Sequence, residues 1–461
     1  MSLLIVLAAL GFLMWVAYRG ASVIIFAPVA ALLAVLLSAP IEVAPAFTAL
    51  FLERMGEFLK SYFPVFLLGA VFGKVIELSG FAKSIVAAVI KLLGPTRAMP
   101  AVVLVCALLT YGGVSLFVVV FAVYPFAVEL FRRTDIPRRL IPGTIALGAF
   151  TFTMDSLPGT PQIQNVIPTT FFGTTTWAAP VLGTVGGLFI LVTGLAYLAR
   201  QRRLAGNEGF GTLPENIEAA ADEAPPVHWA IAVLPLLVVG VANRLLSGWI
   251  KELYGEKYEL LPAGATTPLV VNIAKQAAIW AVEAALVLGI LTVLLFAFAR
   301  VRKTFTAGSK AAVSGALLAS MNTASEYGFG AVIAALPGFL IISDALKRIP
   351  SPLIGEAVSV TTLAGITGSA SGGLGLALGA MATTFIEQAK ASGIPMEVLH
   401  RVAAMASGGM DTLPHNGAVI TLLAVTGLTH RESYRDIFAI TLIKTAAVFV
   451  VIALYTATGL V

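Results

Sequence analysis

The sequence predicts an all-α polytopic membrane protein: two inverted repeats, each of five spans plus one re-entrant hairpin, with broken helices at the midplane. Three observations carry this expectation. Of 461 residues, 58% are apolar and only 11% charged, with a mean hydropathy of +0.95. Soluble domains carry about 25% charged residues, so an ordinary cytosolic enzyme is excluded. Ten apolar runs approach or exceed the length of about 20 residues that a spanning helix needs. A sparse set of glycine, proline and aspartate motifs occurs twice at nearly one offset. The net charge of +5 is not a nucleic-acid signal, because the basic residues sit in short clusters between apolar runs. Cys106 is the only cysteine, so neither an intrachain disulfide nor a thiolate metal cluster is possible.

Taken along the chain, the run at 2–18 has no basic segment before it and is followed by Arg19, so it reads as a span and not as a signal peptide. With 21–39 it forms a transmembrane hairpin. The other spans are 61–78, 141–172, 177–199, 228–249, 269–299, 311–341, 396–428 and 437–458. The stretches 98–130 and 352–386 are interrupted by glycine, serine and threonine and read as re-entrant hairpins of two half-helices. The layout divides into a first repeat at 1–200, a polar cytoplasmic linker at 201–227 and a second repeat at 228–461. With the N-terminus outside, eighteen basic residues fall inside, in clusters at 19, 74–97, 132–139, 200–203, 300–310 and 431–435, against eight outside. That bias predicts both termini outside, in a bacterial-type inner membrane.

The repeat rests on four features. Thr110-Tyr111-Gly112-Gly113-Val114-Ser115 recurs as Thr367-Gly368-Ser369-Ala370-Ser371-Gly372-Gly373, and Ile136-Pro137 recurs as Ile394-Pro395. Asp155-Ser156-Leu157-Pro158 recurs as Asp411-Thr412-Leu413-Pro414, matching at both the aspartate and the proline. Five crossings on each side of the linker place the second copy upside down. Inverted repeats with broken helices near the midplane are the mark of secondary transporters.

Backbone that leaves helix geometry inside a bilayer is tolerated only where protein or water covers it. Gly112, Gly113, Gly372 and Gly373 permit tight turns, and Pro158, Pro161 and Pro414 interrupt helical hydrogen bonding. Each break starts a half-helix whose free N–H groups suit an anion. The expected site is a small polar cup for an organic anion. Its substrate-binding candidates are Thr110, Gly112, Gly113 and Ser115 at the first tip, and Ser156, Thr160, Gln162 and Asn165 at the first loop. Thr367, Ser369, Ser371, Gly372 and Gly373 belong to the second tip, and Thr412 and Asn416 to the second loop.

Asp155 and Asp411 are the most informative charges, since an aspartate at a helix centre in a membrane costs roughly 2.5–3.5 kcal/mol on insertion scales. Each is a candidate for proton carriage or cation coordination, or a cap of the half-helix after it. His415 and Glu326 are further coupling candidates; a histidine titrates near neutrality, but His415 could equally be a hydrogen-bonded loop residue. Gln162 and Asn165 could contact substrate or pair backbone freed by Pro161 and Pro168. Lys74 with Glu77, and Lys275 with Glu283, read as structural pairs, while Glu129, Arg132 and Arg133 read as a solvated or headgroup-level group. No P-loop, HExxH, GxSxG or metal-ligand spacing occurs, so neither a cofactor nor a metal is expected, and energy has to come from an ion or solute gradient. An intramembrane hydrolase built on Ser156 or Thr412 lacks its nucleophile turn. A channel would draw its symmetry from parallel subunits.

The two hairpins and loops carry a resemblance. Leu108-Leu109-Thr110-Tyr111-Gly112-Gly113-Val114-Ser115-Leu116-Phe117, Leu157-Pro158-Gly159-Thr160-Pro161, Thr367-Gly368-Ser369-Ala370-Ser371-Gly372-Gly373 and Asp411-Thr412-Leu413-Pro414-His415-Asn416 resemble the gluconate permease (GntP) family of the ion transporter superfamily. The resemblance implies proton-coupled uptake of small carboxylates, with sodium as the alternative ion. It also implies homodimers in the lipid bilayer and an elevator-like transport domain moving against a scaffold. The sugar-acid members resemble a Pro-Pro-His-Pro-Gly-Pro run where this chain has Asp155-Ser156-Leu157-Pro158-Gly159-Thr160-Pro161, so the chain looks closer to the hydroxybutyrate-type branch.

Overall fold

In the computed structural model, all of residues 2–461 are described except Gly20, Pro95, Thr96, Ser115, Asn207, 212–226, Arg348, Pro350 and His415. Most of the expected linker, and the site candidates Ser115 and His415, therefore lie outside the described residues.

The first half begins with α1 (Ser2–Tyr18) and α2 (Val23–Ser38). A continuous helical run over Pro40–Leu78 follows, containing α3 (Val43–Ala46), a π-helical stretch at Phe47–Leu52 and α4 (Glu53–Leu78). Next come the amphipathic α5 (Phe81–Leu93), then α6 (Ala98–Tyr111) and α7 (Leu116–Arg133), which form the first hairpin. A broken helix made of α8 (Leu140–Ala149), α9 (Phe152–Asp155) and α10 (Ile163–Phe172) leads into α11 (Pro180–Leu204). The second half repeats the order with α12 (Trp229–Tyr254), α13 (Ile273–Ala335) and α14 (Pro337–Lys347). Its hairpin is α15 (Pro352–Thr367) with α16 (Ala370–Ala391). Its broken helix is α17 (Met396–Ser407) with α18 (Gly417–Thr426), followed by α19 (His430–Thr458).

The all-α polytopic fold class holds, with local departures from the spans expected, among them the run at 311–341, which divides between the end of α13 at Ala335 and the start of α14 at Pro337. A short exposed β-ribbon, β1 (Lys257–Leu260) paired antiparallel with β2 (Leu269–Asn272), joins α12 to α13. The span expected at 61–78 extends back to Pro40 as one helical run. The loop expected at 300–310 is helical: α13 is two arms meeting at a single non-helical residue, Ala297 (φ −135°, ψ 18°). The segment 298–310 contains no proline and one glycine, and Gly308 packs against Leu78 and Lys74 of α4. Helix therefore continues through the basic cluster while the chain turns.

Inversion follows from which ends of α4 and α13 meet. Gly308 lies beside Leu78 at the end of α4, and Gly328 lies beside Phe51 just before its start, so the second arm of α13 runs antiparallel to α4. The first hairpin follows the Leu78 end of this pair and the second follows the Ala335 end, so the two enter from opposite ends.

Segments expected on one side of the membrane also cluster. Arg139 bonds Glu208 at 2.9 Å and Asp436 at 3.5 Å, Arg202 donates to Thr134 O at 3.4 Å, and Val227 N donates to Ser84 Oγ at 3.0 Å. At segments expected on the other side, Arg244 lies over the Trp177 ring at 5.7 Å. The pair Lys74–Glu77 (2.7 Å) forms as the spacing predicts, and Glu129 is paired with Arg132 and Arg133 (2.7 and 2.6 Å).

The outer faces carry apolar stripes at helical spacing. Val181, Val185, Leu188 and Val192 are exposed along α11, and Leu237, Val241, Leu245 and Trp249 along α12. Contiguous exposed apolar surface on this scale is a lipid-facing surface. Inside, the hairpin arms approach too closely for side chains. A Cβ on Gly373 would run into the backbone of Ala364 on α15, whereas Gly240 on α12 has nothing within 4 Å of such a position. Gly373→Val is expected to lower the thermal midpoint, since overpacking of this kind costs about 1–3 kcal/mol or more. Gly240→Ala is expected to leave it unchanged or slightly raised, and thermal unfolding of the two purified variants checks both.

Candidate functional site

Each broken helix leaves carbonyls that no i+4 amide reaches, and the side chains around the breaks answer them. At the first break, Phe150 O accepts from Lys444 Nζ at 3.0 Å and Asp155 O from Arg401 Nη1 at 2.9 Å. Thr153 O accepts from Thr160 Oγ1 and Pro158 O from the Tyr111 hydroxyl, both at 2.8 Å. Gly159 O accepts from Asn243 Nδ2 at 3.0 Å, and Thr160 O from Asn165 Nδ2 at 2.9 Å. At the second break, Gly409 O accepts from Thr445 Oγ1 at 2.8 Å and Thr412 O from the Tyr434 hydroxyl at 3.1 Å.

The loops also hold the hairpin tips, in matching ways. Gln162, the N-cap residue of α10, donates through Nε2 to Thr110 O (2.7 Å) and Val114 O (3.3 Å) at the first tip. Asn416, the N-cap residue of α18, donates through Nδ2 to Gly368 O at 2.6 Å at the second tip. It accepts from Ala418 N and Val419 N through Oδ1. The tips turn at Gly113 (φ +98°) and Gly368 (φ +65°), a region that favours glycine.

The two breaks meet in a buried ionic group. Lys444 on α19 pairs with Asp411 Oδ1 and reaches across to Phe150 O of the first half. Asp155 Oδ1 accepts from Ser156 Oγ at 2.7 Å, and Oδ2 faces Gly408, where a Cβ would collide with it. Asp155 lies within electrostatic reach of Lys444, Asp411 and Arg401, and its Oδ2 has no hydrogen-bond partner among the described residues. All four side chains are buried. Arg401 is engaged entirely by neutral acceptors: Ala178 O, Asp155 O and Asn165 Oδ1. His400 beside it bonds Thr174 Oγ1 at 2.6 Å and Asn165 Oδ1 at 3.1 Å.

The expected site residues thus separate into three neighbouring groups. Asp155, Ser156 and Asp411 gather around Lys444. Thr110, Gly112, Gly113 and Gln162 form the first tip, where Thr110 Oγ1 is buried without a partner among the described residues. Thr367, Ser369, Ser371, Gly372, Gly373, Asn416 and Glu326 form the second, where Ser371 Oγ lies 3.2 Å from Thr323 Oγ1. Three candidates are bound up within the fold. Asn165 uses both ends of its carboxamide on Thr160 O, Thr176 O, His400 and Arg401. Thr160 bonds Thr153 O, and the Thr412 hydroxyl pairs with that of Thr441.

Arg401, Lys444, His400 and Asn243 escaped the sequence reading. The signal was present for two of them: Arg401 and Lys444 are basic residues inside the spans 396–428 and 437–458, a rarity that marks buried partners. Glu356 on α15 was also passed over; it is fully buried, and neither carboxyl oxygen has a partner among the described residues.

Removing one member of a buried ion pair leaves the other uncompensated, at about 3–5 kcal/mol. Lys444→Met is therefore expected to lower the thermal midpoint sharply, and adding Asp411→Asn to it to recover part of the loss. Additive losses in thermal unfolding of the double variant would mean that the two side chains act separately.

No protein-family model matches the chain. The crystal structure of the Alcanivorax borkumensis YdaH transporter, with an unusual topology, is similar at a TM-score of 0.49 and 14% identity, over 92% of this chain and 90% of that one. In sequence, the chain is 56% identical over 472 residues, covering 100% of both proteins, to the uncharacterized transporter YxjC of Bacillus subtilis (strain 168). A multi-pass helical membrane protein with that degree of identity over its whole length belongs to the same transporter family as YxjC.

Proposed function

We propose that this transporter is a secondary active symporter for a small organic monocarboxylate, such as a short hydroxy acid or gluconate, coupled to protons. The observation that carries the reading is the meeting of two intramembrane aspartates around Lys444, which joins Asp411 to the first half through Phe150 O. The substrate carboxylate lies against the N-terminal turns at the hairpin tips, where helix N–H groups favour an anion. A proton taken up by Asp411 leaves the Lys444 charge to balance the arriving anion, so the pair and its cargo cross with little unpaired charge.

Sodium coupling is the competing scheme. It needs free carbonyls at the breaks, and those at Phe150, Asp155, Gly159 and Thr160 accept from side-chain donors. The same reading places the basic clusters at 132–139, 200–203 and 431–435 inside, in an inner membrane. It assigns 1–200 and 228–461 as the two repeats joined by the linker at 201–227. It also has the protein work as a homodimer whose hairpins and broken helices move as an elevator.

Uptake of labelled 3-hydroxybutyrate and gluconate into proteoliposomes tests the proposal. An inward proton gradient is expected to drive accumulation of at least one of them. Asp411→Asn is expected to abolish accumulation while retaining exchange. Accumulation driven by a sodium gradient, with no response to pH, would defeat the proton scheme, and full accumulation by Asp411→Asn would remove that residue from coupling.

A further inference from the structure

The two hairpin tips differ in one respect that the repeat does not require. Against the first tip, α4 presents Gly69: a Cβ there would sit 3.9 Å from Gly113 O. At the matching place in the second half, 257 residues on, the antiparallel arm of α13 presents Glu326 to the second tip. The Glu326 carboxylate points into the first turn of α16, where a Cβ on Gly372 would fall on its Oε2. The Ser369 hydroxyl, the N-cap of α16, accepts from Gly372 N at 3.1 Å and lines the same turn as the Glu326 carboxylate. Glu326 is 2% exposed, and its Oε2 has no hydrogen-bond partner among the described residues; neither has Ser325 Oγ beside it.

A carboxylate in that position is in the place suited to a bound anion. The 22-residue α16 begins with N–H groups that no preceding carbonyl can answer, and with the positive end of the helix dipole. Among the described residues, no cation is placed to account for Glu326. The ionisable groups nearby are Tyr327 on its own helix and, on α4, Arg54, Glu57 and Tyr62, of which Arg54 is paired with Glu57 at 2.8 Å. α2 and α10 carry no charged residue, α16 carries none before Glu387, and α12 packs on the other arm of α13 through Val239 and Gly289.

We propose that Glu326 is a tethered carboxylate occupying the anion site of the second hairpin, and that the transported carboxylate binds there by displacing it. The inference rests on the carboxylate-transport reading for its ligand, but not for the existence of the site. Glu326 is then a specificity device as well as a placeholder. A substrate has to compete with a carboxylate already lodged against that turn, and a second carboxylate on the same solute meets like charge.

Two measurements on the full-length protein test this. In detergent, Glu326→Ala is expected to gain thermal stability with the logarithm of formate concentration, as a free carboxylate fills the place of the tethered one. Wild type and Glu326→Gln are expected to show no such shift. Absence of a formate-dependent rise in Glu326→Ala overturns the site. In proteoliposomes, Glu326→Gln, which keeps the side chain's shape, is expected to lower the KM for 3-hydroxybutyrate or gluconate by about 5-fold or more. A purely structural carboxylate predicts no fall in KM, and an unchanged or raised KM overturns the competition. If no organic acid is transported by any variant, the carboxylate-transport reading falls, while the formate result still decides whether the helix end is an anion site.

Discussion

Every polar backbone group within a bilayer has to be satisfied by the protein itself, and this constraint organises the molecule. The chain breaks two of its helices and turns two hairpins within the fold. It can do so because Gln162, Asn165, Asn243 and Asn416 offer carboxamide donors to carbonyls at the breaks and tips. Tyr111, Tyr434 and Thr445 serve in the same way. Where a neutral donor does not reach, a charged one does: Arg401 at Asp155 O and Lys444 at Phe150 O. The polar residues that stand out against an apolar sequence are therefore first a scaffold for irregular backbone, and only the atoms left over are available for a ligand.

That ordering separates the site into fixed and responsive parts. Asn165 and Arg401 are fixed, since each polar atom they bring has a structural partner. Asp155 Oδ2, Thr110 Oγ1, Ser325 Oγ and Glu326 Oε2 are buried without one among the described residues. A buried polar atom with no partner is costly, and such atoms concentrate where chemistry or binding takes place. These four lie at the first break and at the two tips, while Gln164 Oε1, Trp177 Nε1 and both Glu356 oxygens are unpartnered elsewhere among the described residues, and each tip is tied by one carboxamide to its own loop.

Much of this was legible in the sequence, and the reasons differ by element. The breaks at 149–163 and 407–417 were visible because Gly, Pro and Asp are sharp signals in an apolar background. The doubled Asp-[Ser/Thr]-Leu-Pro motif revealed the repeat. The turn at Ala297 was not visible: a basic cluster suggested a loop, but nothing in 298–310 opposes helix, and its one glycine packs against α4. The β-ribbon was absorbed into the apolar run at 269–299 because Leu269, Val270 and Val271 suit a strand and a span equally well. Within the site, residue types were legible but partnerships were not. Lys444 and Phe150 are 294 positions apart, as are Ser433 and Arg139, and no local pattern encodes which long side chain crosses to which carbonyl.

The buried group at the meeting of the two halves also has an electrical consequence. In their ordinary ionised forms Asp155 and Asp411 cancel Lys444 and Arg401, so the cluster is electroneutral. Moving one elementary charge through 100 mV involves about 2.3 kcal/mol. A cluster whose charges sum to zero offers the membrane voltage no net charge to act on.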